Sequence, residues 1–299
     1  MGAPIITLRA GERVLSLGDR PWLMGIVNAT PDSFSDGGRY PTLEDRVQLA
    51  RDLLGAGADM IDVGGESGVT NRPPVDPEEE SERVVPLIDR IVAEGALVSV
   101  DTYKPSVAEA AIAAGAAIVN DVSGLLHPEI ADVCARTGAA LVITHTRGAP
   151  KEKVLDHPYP DVAAEVARFL RERMALAQER GVALEQIMLD PGPDFGKNPA
   201  QTIELLRGLH DLHALGRPLL LAVSRKDFVG ALTERRPTER LAGTLAALGH
   251  GADAGAHVFR VHDVAEAADF LAVRAALRGE RPVDDGLRLA EDLRREPAG

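Results

Sequence analysis

Short apolar runs alternate with amphipathic stretches along nearly the whole chain. Eight runs read as buried strands, at 22–27, 59–63, 97–101, 116–120, 140–144, 186–190, 218–223 and 256–260. Each is short and mostly continuous, the pattern of a strand covered on both faces. Between them hydrophobic residues recur at helical spacing. Val162, Val166, Phe169, Leu170, Met174 and Ala177 form one stripe, and Leu43, Val47, Leu49, Ala50, Leu53 and Leu54 form another. The pairs Gly57-Ala58, Gly115-Ala116 and Gly138-Ala139 suit a helix end followed closely by the next strand.

Strands of this kind, each followed by a helix, specify a parallel sheet covered by helices. Eight such units over about 250 residues predict a closed (β/α)8 TIM barrel, with an open doubly wound sheet as the alternative. Residues 4–16 look like a short β-hairpin under the barrel, the barrel itself occupies residues 20–278, and the charged residues 280–299 form a tail or a loosely docked helix. No internal boundary divides residues 1–299, so a single domain is expected.

Composition narrows the partners. The chain has 299 residues, 45% of them apolar and 26% charged, the balance of a globular protein. A formal net charge of −13 leaves no basic face to displace counterions from phosphates, and 3% aromatic residues offer few platforms for bases, so no nucleic acid is expected. No apolar run approaches the roughly 18 residues of a membrane span, and no signal-like segment leads the sequence; a cytoplasmic protein with no membrane partner is expected. The single cysteine, Cys134, excludes an internal disulfide and reads as a small core residue.

The chemistry lies where the apolar runs stop. The first barrel strand ends in Asn28 and runs into Ala29-Thr30-Pro31-Asp32-Ser33-Phe34-Ser35-Asp36-Gly37-Gly38, a loop too polar to bury itself. The second carries Asp62 and runs into Gly64-Gly65-Glu66-Ser67. The third ends in Asp101-Thr102, the fourth in Asn120-Asp121 and the fifth in Thr144-His145-Thr146-Arg147. The last three give Asp190-Pro191-Gly192, Ser224-Arg225-Lys226 and Arg260-Val261-His262-Asp263. Any one of these is explained by a helix N-cap, and Thr102, Ser123 or Asp263 need be no more than that. Together they describe one polar mouth at the C-terminal face, where barrel enzymes place their sites.

The residue types limit the ligand. Asp62, Asp101 and Asp190, with Asn120 among them, suit a ring rich in N–H donors such as an amino-pyrimidine, because a carboxylate accepts two such bonds in one plane. Lys226 offers a donor to a ring carbonyl or nitrogen. Asn28, Arg260 and His262, on the neighbouring first and last strands, could form an anion site. A metal-dependent hydrolase would want His-X-His after the first strand, where Asn28-Ala29-Thr30 stands. A Schiff base on Lys226 is conceivable, but nearby carboxylates favour the protonated amine. Glycosidase chemistry would want an aromatic sugar cleft that this chain lacks.

These segments resemble the dihydropteroate synthases, the folate-pathway barrel enzymes inhibited by sulfonamides, over roughly residues 20–275. The matching motifs are Gly25 through Gly38, Asp62-Val63-Gly64-Gly65-Glu66-Ser67, Ser99-Val100-Asp101-Thr102, Asn120-Asp121-Val122-Ser123-Gly124, Leu189-Asp190-Pro191-Gly192 with Phe195-Gly196-Lys197, Ser224-Arg225-Lys226, and Arg260-Val261-His262-Asp263-Val264. The resemblance implies condensation of 7,8-dihydropterin-6-ylmethyl diphosphate with p-aminobenzoate, giving 7,8-dihydropteroate and pyrophosphate by a dissociative substitution. It implies that Asp62, Asp101, Asn120, Asp190, Lys226 and Arg260 hold the pterin. Phe34, Thr70, Arg72, Pro73 and Ser224 would shape the p-aminobenzoate site. Asn28, Asp36, Asp101, Lys226, Arg260 and His262 would be the catalytic set, with Asn28 as the ligand of Mg2+, and the assembly would be a homodimer.

One segment departs from the family pattern. The second loop, which in the family reads Gly-Gly-Glu-Ser-Thr-Arg-Pro-Gly, is here Gly64-Gly65-Glu66-Ser67-Gly68-Val69-Thr70-Asn71-Arg72-Pro73-Pro74 and is longer. Arg72-Pro73 matches the family's Arg-Pro, and the preceding threonine is either matched by Thr70 or lost to Gly68. The departure touches acceptor binding, so a paralogue with a different acceptor, and a non-catalytic pterin-binding protein, stand as alternatives.

Overall fold

The computed structural model describes residues 4–30, 40–68, 70, 72–152, 154 and 157–294. It opens with an antiparallel hairpin of β1 (Ile6–Ala10) and β2 (Arg13–Leu17). Eight strands then alternate with helices: β3 (Trp22–Asn28), α1 (Leu43–Gly55), β4 (Met60–Gly64), α2 (Pro77–Ala93), β5 (Val98–Asp101), α3 (Pro105–Ala113), β6 (Ile118–Asp121) and α4 (Glu129–Thr137). The second half is β7 (Ala140–Thr144), α5 (Val162–Glu179), β8 (Ile187–Asp190), α6 (Pro199–Arg207), β9 (Leu220–Leu221), α7 (Asp227–Thr233), α8 (Leu241–Asp253), β10 (Val258–Val261) and α9 (Val264–Leu277).

Local chemistry starts the helices where the sequence places them. Thr42 and Asp45 form a reciprocal capping box at α1, Asn198 and Gln201 do the same at α6, and Asp76 followed by Pro77 opens α2. The strands pair in the order β8-β7-β6-β5-β4-β3-β10-β9, all parallel, and a bridge between Leu189 and Leu219 joins the two ends. The eight-strand barrel is therefore closed.

Successive inward positions fall two residues apart along each strand. At the lower level these positions are Met24, Met60, Ile118, Val142, Met188, Leu220 and Val258, which pack against Leu8 and Leu17 of the hairpin in one buried apolar cluster. Two residues further along the same strands stand Ile26, Asp62, Asn120, Thr144, Asp190, Ala222 and Arg260. The outward residues of the strands join the helices in the main core. The hairpin thus plugs one end of the barrel, and polar side chains fill the other.

Most strand bounds shift by one or two residues from expectation. The hairpin reaches Leu17. The run at 218–223 pairs as a regular strand over Leu220–Leu221, and below it the Pro218 carbonyl accepts the Leu189 amide at 2.9 Å beside the Leu189–Leu219 bridge. Beyond α9 the described tail contains a short 3-10 turn at Glu291–Leu293.

Candidate active site

A cavity of about 740 Å3 occupies the C-terminal mouth of the barrel. At its base Asp62 is wholly buried, and its Oδ2 accepts from Arg260 Nε at 2.6 Å and from Asn120 Nδ2 at 3.2 Å. Arg260 Nη2 donates to Asp101 Oδ2 at 2.7 Å. Asp190 Oδ1 accepts the Gly192 amide at 2.8 Å. Asp62 Oδ1, Asn120 Oδ1 and Ser99 Oγ are buried with no hydrogen-bond partner among the described residues. Orphaned buried acceptors are costly unless something donates to them, and they lie on the strands that line this cavity.

Burial sets the charges here. It pushes the Asp101 carboxyl up, against the Arg260 guanidinium and with the help of Asp62. The Asp190 carboxyl is also pushed up by burial, although the Gly192 N–H and Lys226 oppose it. Arg260 is held above its ordinary value: burial works against its charge, but Asp62 and Asp101 prevail.

Opposite these acids, Lys226 begins α7, its Nζ 4.3 Å from the centre of the Phe195 ring. Burial brings its ammonium down from the usual range, against Asp194 and Asp190. Desolvation thus outweighs the acids that the sequence places near this amine. The sequence suggested no role for Asp194. Asp194 Oδ2 accepts the Asp227 and Phe228 amides at 2.6 and 3.3 Å, and Oδ1 accepts from Thr202 Oγ1 at 3.0 Å, so this one carboxylate ties the Phe195 loop to the start of α7. Lys197 braces the same loop from below. Its buried Nζ donates to Gly192 O at 2.9 Å and Phe195 O at 3.1 Å, and lies 2.7 Å from His145 Nδ1. Burial lowers Lys197 to about 7. The turn demands glycine: Gly192 has φ +64°, and a Cβ there would stand 2.0 Å from the His145 carbonyl oxygen.

The proposed anion end gathers around His262 and Asn28, both lining the cavity. His262 Nδ1 lies 2.9 Å from Ser224 Oγ, and the His262 amide donates to the same hydroxyl at 3.2 Å. Burial, followed by the nearby cations Arg225, Arg260 and Lys226, lowers His262 to about 3, so the ring is neutral at ordinary pH. Arg225, in a left-handed conformation at φ +58°, pairs with Asp263 through Nε at 3.1 Å. Asp263 is therefore more than a helix cap. Ser224, expected at the acceptor, is buried against His262 and is not among the cavity's lining residues. In this conformation Arg260 is committed to Asp62 and Asp101, not to the anion end.

Of the expected acceptor residues, Thr70 lines the cavity, whereas Arg72 and Pro73 lie on the same loop outside its lining. Phe34 and Asp36 fall outside the described residues. The sequence offered no role for Glu66 beyond its motif, yet Glu66 is the hub of the second loop. It accepts from Lys104 Nζ at 2.6 Å, the Val75 amide at 2.8 Å and the Tyr103 hydroxyl at 3.1 Å. Lys104 also pairs with the buried Glu80. No spacing signal in a single sequence joins residues so far apart. Gly65 lets this loop press on α2, where a Cβ would stand 2.7 Å from the Glu80 side chain.

A magnesium ion can be tested against this donor set. Among the described residues no group of three or more His, Cys, Asp or Glu could hold a metal. Asn28 provides one amide oxygen at the strand end, beside the cavity. Mg2+ commonly takes one or two protein oxygens and fills its remaining positions with substrate phosphates and water, so Asn28 fits the ion as a partial site that a diphosphate would complete.

Comparison with known proteins agrees with this geometry. The pterin binding enzyme family matches residues 24–262. A dihydropteroate synthase of Escherichia coli K12 is 42% identical over 254 residues, covering 85% of this chain and 90% of the relative. The solved structure of Xanthomonas albilineans dihydropteroate synthase with 4-aminobenzoic acid superposes with a TM-score of 0.85 at 44% identity, covering 92% of this chain and 99% of that one. The same enzyme in complex with 7,8-dihydropteroate gives a TM-score of 0.81 at 43% identity, over 91% and 98% of the two chains. The chain belongs to the dihydropteroate synthase family of pterin-binding enzymes.

Proposed function

We propose that this chain condenses 7,8-dihydropterin-6-ylmethyl diphosphate with p-aminobenzoate, giving 7,8-dihydropteroate and pyrophosphate, in the cytoplasm. The observation that carries this reading is the ring of acceptors at one level of the barrel, Asp62, Asn120 and Asp190, with Lys226 facing them. The N–H edge of a pterin satisfies Asp62 Oδ1 and Asn120 Oδ1, and Lys226 donates to the ring's carbonyl or nitrogen. To admit the ring, Arg260 leaves Asp62 and lies over the pterin face.

The bond between the pterin methylene carbon and the diphosphate oxygen then breaks, and the electron pair leaves with the diphosphate. Mg2+ neutralises charge on the leaving group when bound, with Asn28 as its protein ligand. His262, neutral among Arg225, Arg260 and Lys226, gains a reason to protonate once an anion arrives, and then donates to it. The methylene cation is stabilised by the buried carboxylates beneath it, Asp101 and Asp62. The aniline nitrogen of p-aminobenzoate attacks that carbon and gives up its proton to solvent. No side chain is a covalent nucleophile in this scheme.

Incubating the protein with dihydropterin diphosphate, Mg2+ and p-aminobenzoate tests the reading. Stoichiometric dihydropteroate and pyrophosphate are expected. Pyrophosphate without dihydropteroate would point instead to a different acceptor, and pterin binding without turnover to a non-catalytic role.

A homodimer is part of the proposal. An apolar groove of about 380 Å3 lies on the outer helices, lined by Leu206, Phe228, Val229, Leu232 and Ala247, with Leu232 67% exposed. A second copy covering this face explains the exposed leucine. Leu232→Glu is expected to sediment as a monomer where the parent chain sediments as a dimer.

A further inference from the structure

We propose that Lys151 is a positioning residue that fixes the acceptor end of the cavity by latching the loop after β7 onto the lengthened loop after β4; this rests on the functional reading above. Lys151 Nζ lies 3.1 Å from Glu66 Oε1 and donates to the Ser67 carbonyl, bridging residues 84 positions apart. Both side chains are nearly buried, at 10% and 7% exposure. Lys151 adopts φ +70°, a left-handed conformation that L residues avoid. Such a backbone persists only where its surroundings hold it, and the ammonium's contacts with Glu66 and Ser67 are part of that hold.

The charges show why Lys151 is not interchangeable with its neighbour. The three hydrogens of Lys104 Nζ are taken by Glu66 Oε2, the Val75 carbonyl and Glu80. Two carboxylates thus stand against one saturated ammonium, and Lys151 brings the cluster to neutrality. Glu66, Ser67, Gly68 and Thr70 on one loop and Gly148 through Glu152 on the other all line the cavity. The latch therefore sets the width of the cavity where the two loops face each other, away from Asp62, Asn120 and Asp190. Without Lys151 the loops separate and an uncompensated negative charge borders the place where an anionic acceptor enters.

The test compares Lys151→Met and Lys151→Arg with the parent chain in steady-state kinetics. Lys151→Met is expected to raise the KM for p-aminobenzoate about five- to twentyfold while the KM for the pterin diphosphate and kcat stay within about twofold, and Lys151→Arg is expected to recover most of the loss. An unchanged acceptor KM in Lys151→Met, or an equal loss for both substrates, overturns the proposal. Hydrogen exchange gives a readout that needs no turnover. The Val75 amide, bonded to Glu66, is expected to exchange at least about fivefold faster in Lys151→Met. Unchanged exchange sinks the latch even if the parent chain forms no dihydropteroate, whereas absent turnover with faster exchange sinks only the functional reading.

Discussion

Arg260 Nε lies 2.6 Å from Asp62 Oδ2, across the level of the barrel where a pterin ring would bind. The guanidinium therefore competes with the ligand for one carboxylate oxygen while offering the ligand a cationic face. Removing it separates the two effects. In Arg260→Met, affinity for a bare pterin is expected to stay within about fivefold, because a lost competitor offsets a lost stacking partner of about 1–2 kcal/mol. The rate of pyrophosphate release is expected to fall by about 100-fold, the usual effect of deleting one preorganised charge. Calorimetry with the pterin and a pyrophosphate assay read the two quantities. Equal losses in both would contradict the division of roles.

Lys226 lines the same cavity, buried enough that its ammonium is held below its ordinary range. Lys226→Ala is expected to weaken pterin binding by about 1.5–3 kcal/mol, the worth of a charged hydrogen bond. Folding stability is expected to hold or rise slightly, since a desolvated cation is lost with it. Pterin affinity equal to that of the parent chain would remove Lys226 from the site.

Acid should destabilise the fold through His262. Its folded value of about 3 lies below the ordinary value of about 6.5, so between these pH values the unfolded chain binds a proton that the folded chain refuses. The stability contribution is complete above about 6.5 and is lost as pH falls toward 3. His145, lowered to about 2, and His257, lowered to about 4, act with the same sign. Melting temperatures measured from pH 7 to pH 4 are expected to fall more gently in His262→Gln than in the parent chain. Parallel curves would show that His262 titrates normally.

Gly192 offers a test of stability alone. With φ +64° and the His145 carbonyl oxygen 2.0 Å from any Cβ, Gly192→Ala strains the backbone and pushes apart the turn that Lys197 braces. A loss of at least about 3 kcal/mol in denaturant unfolding is expected. A loss below about 1 kcal/mol would mean that the turn shifts easily.

The barrel was legible in the sequence because each strand is a short, mostly apolar run, and the end of the run marks where the polar mouth begins. Asp62, Asn120, Asp190 and Arg260 were legible for the same reason: each stands two residues above an apolar inward position. Other features leave no periodic trace. The bond from Arg260 to Asp62 depends on the pairing of β10 with β3, and that from Glu66 to Lys104 joins the loops after the neighbouring strands β4 and β5. The burial that lowers Lys226 depends on the Phe195 loop packing over it. At 218–223 the regular strand is shorter than the apolar run, because such a run reports burial and not ladder pairing.

Met60 and Met188 stand one pleat beneath Asp62 and Asp190, and Met24 lies at the same level under Ile26. Unbranched thioether chains change shape readily without moving the backbone that carries them. The carboxylates are thus rigidly spaced by the strands yet rest on a compliant cushion. An inhibitor with a substituent pointing down the barrel axis would find a floor that yields, whereas one that spreads sideways would meet strands that do not.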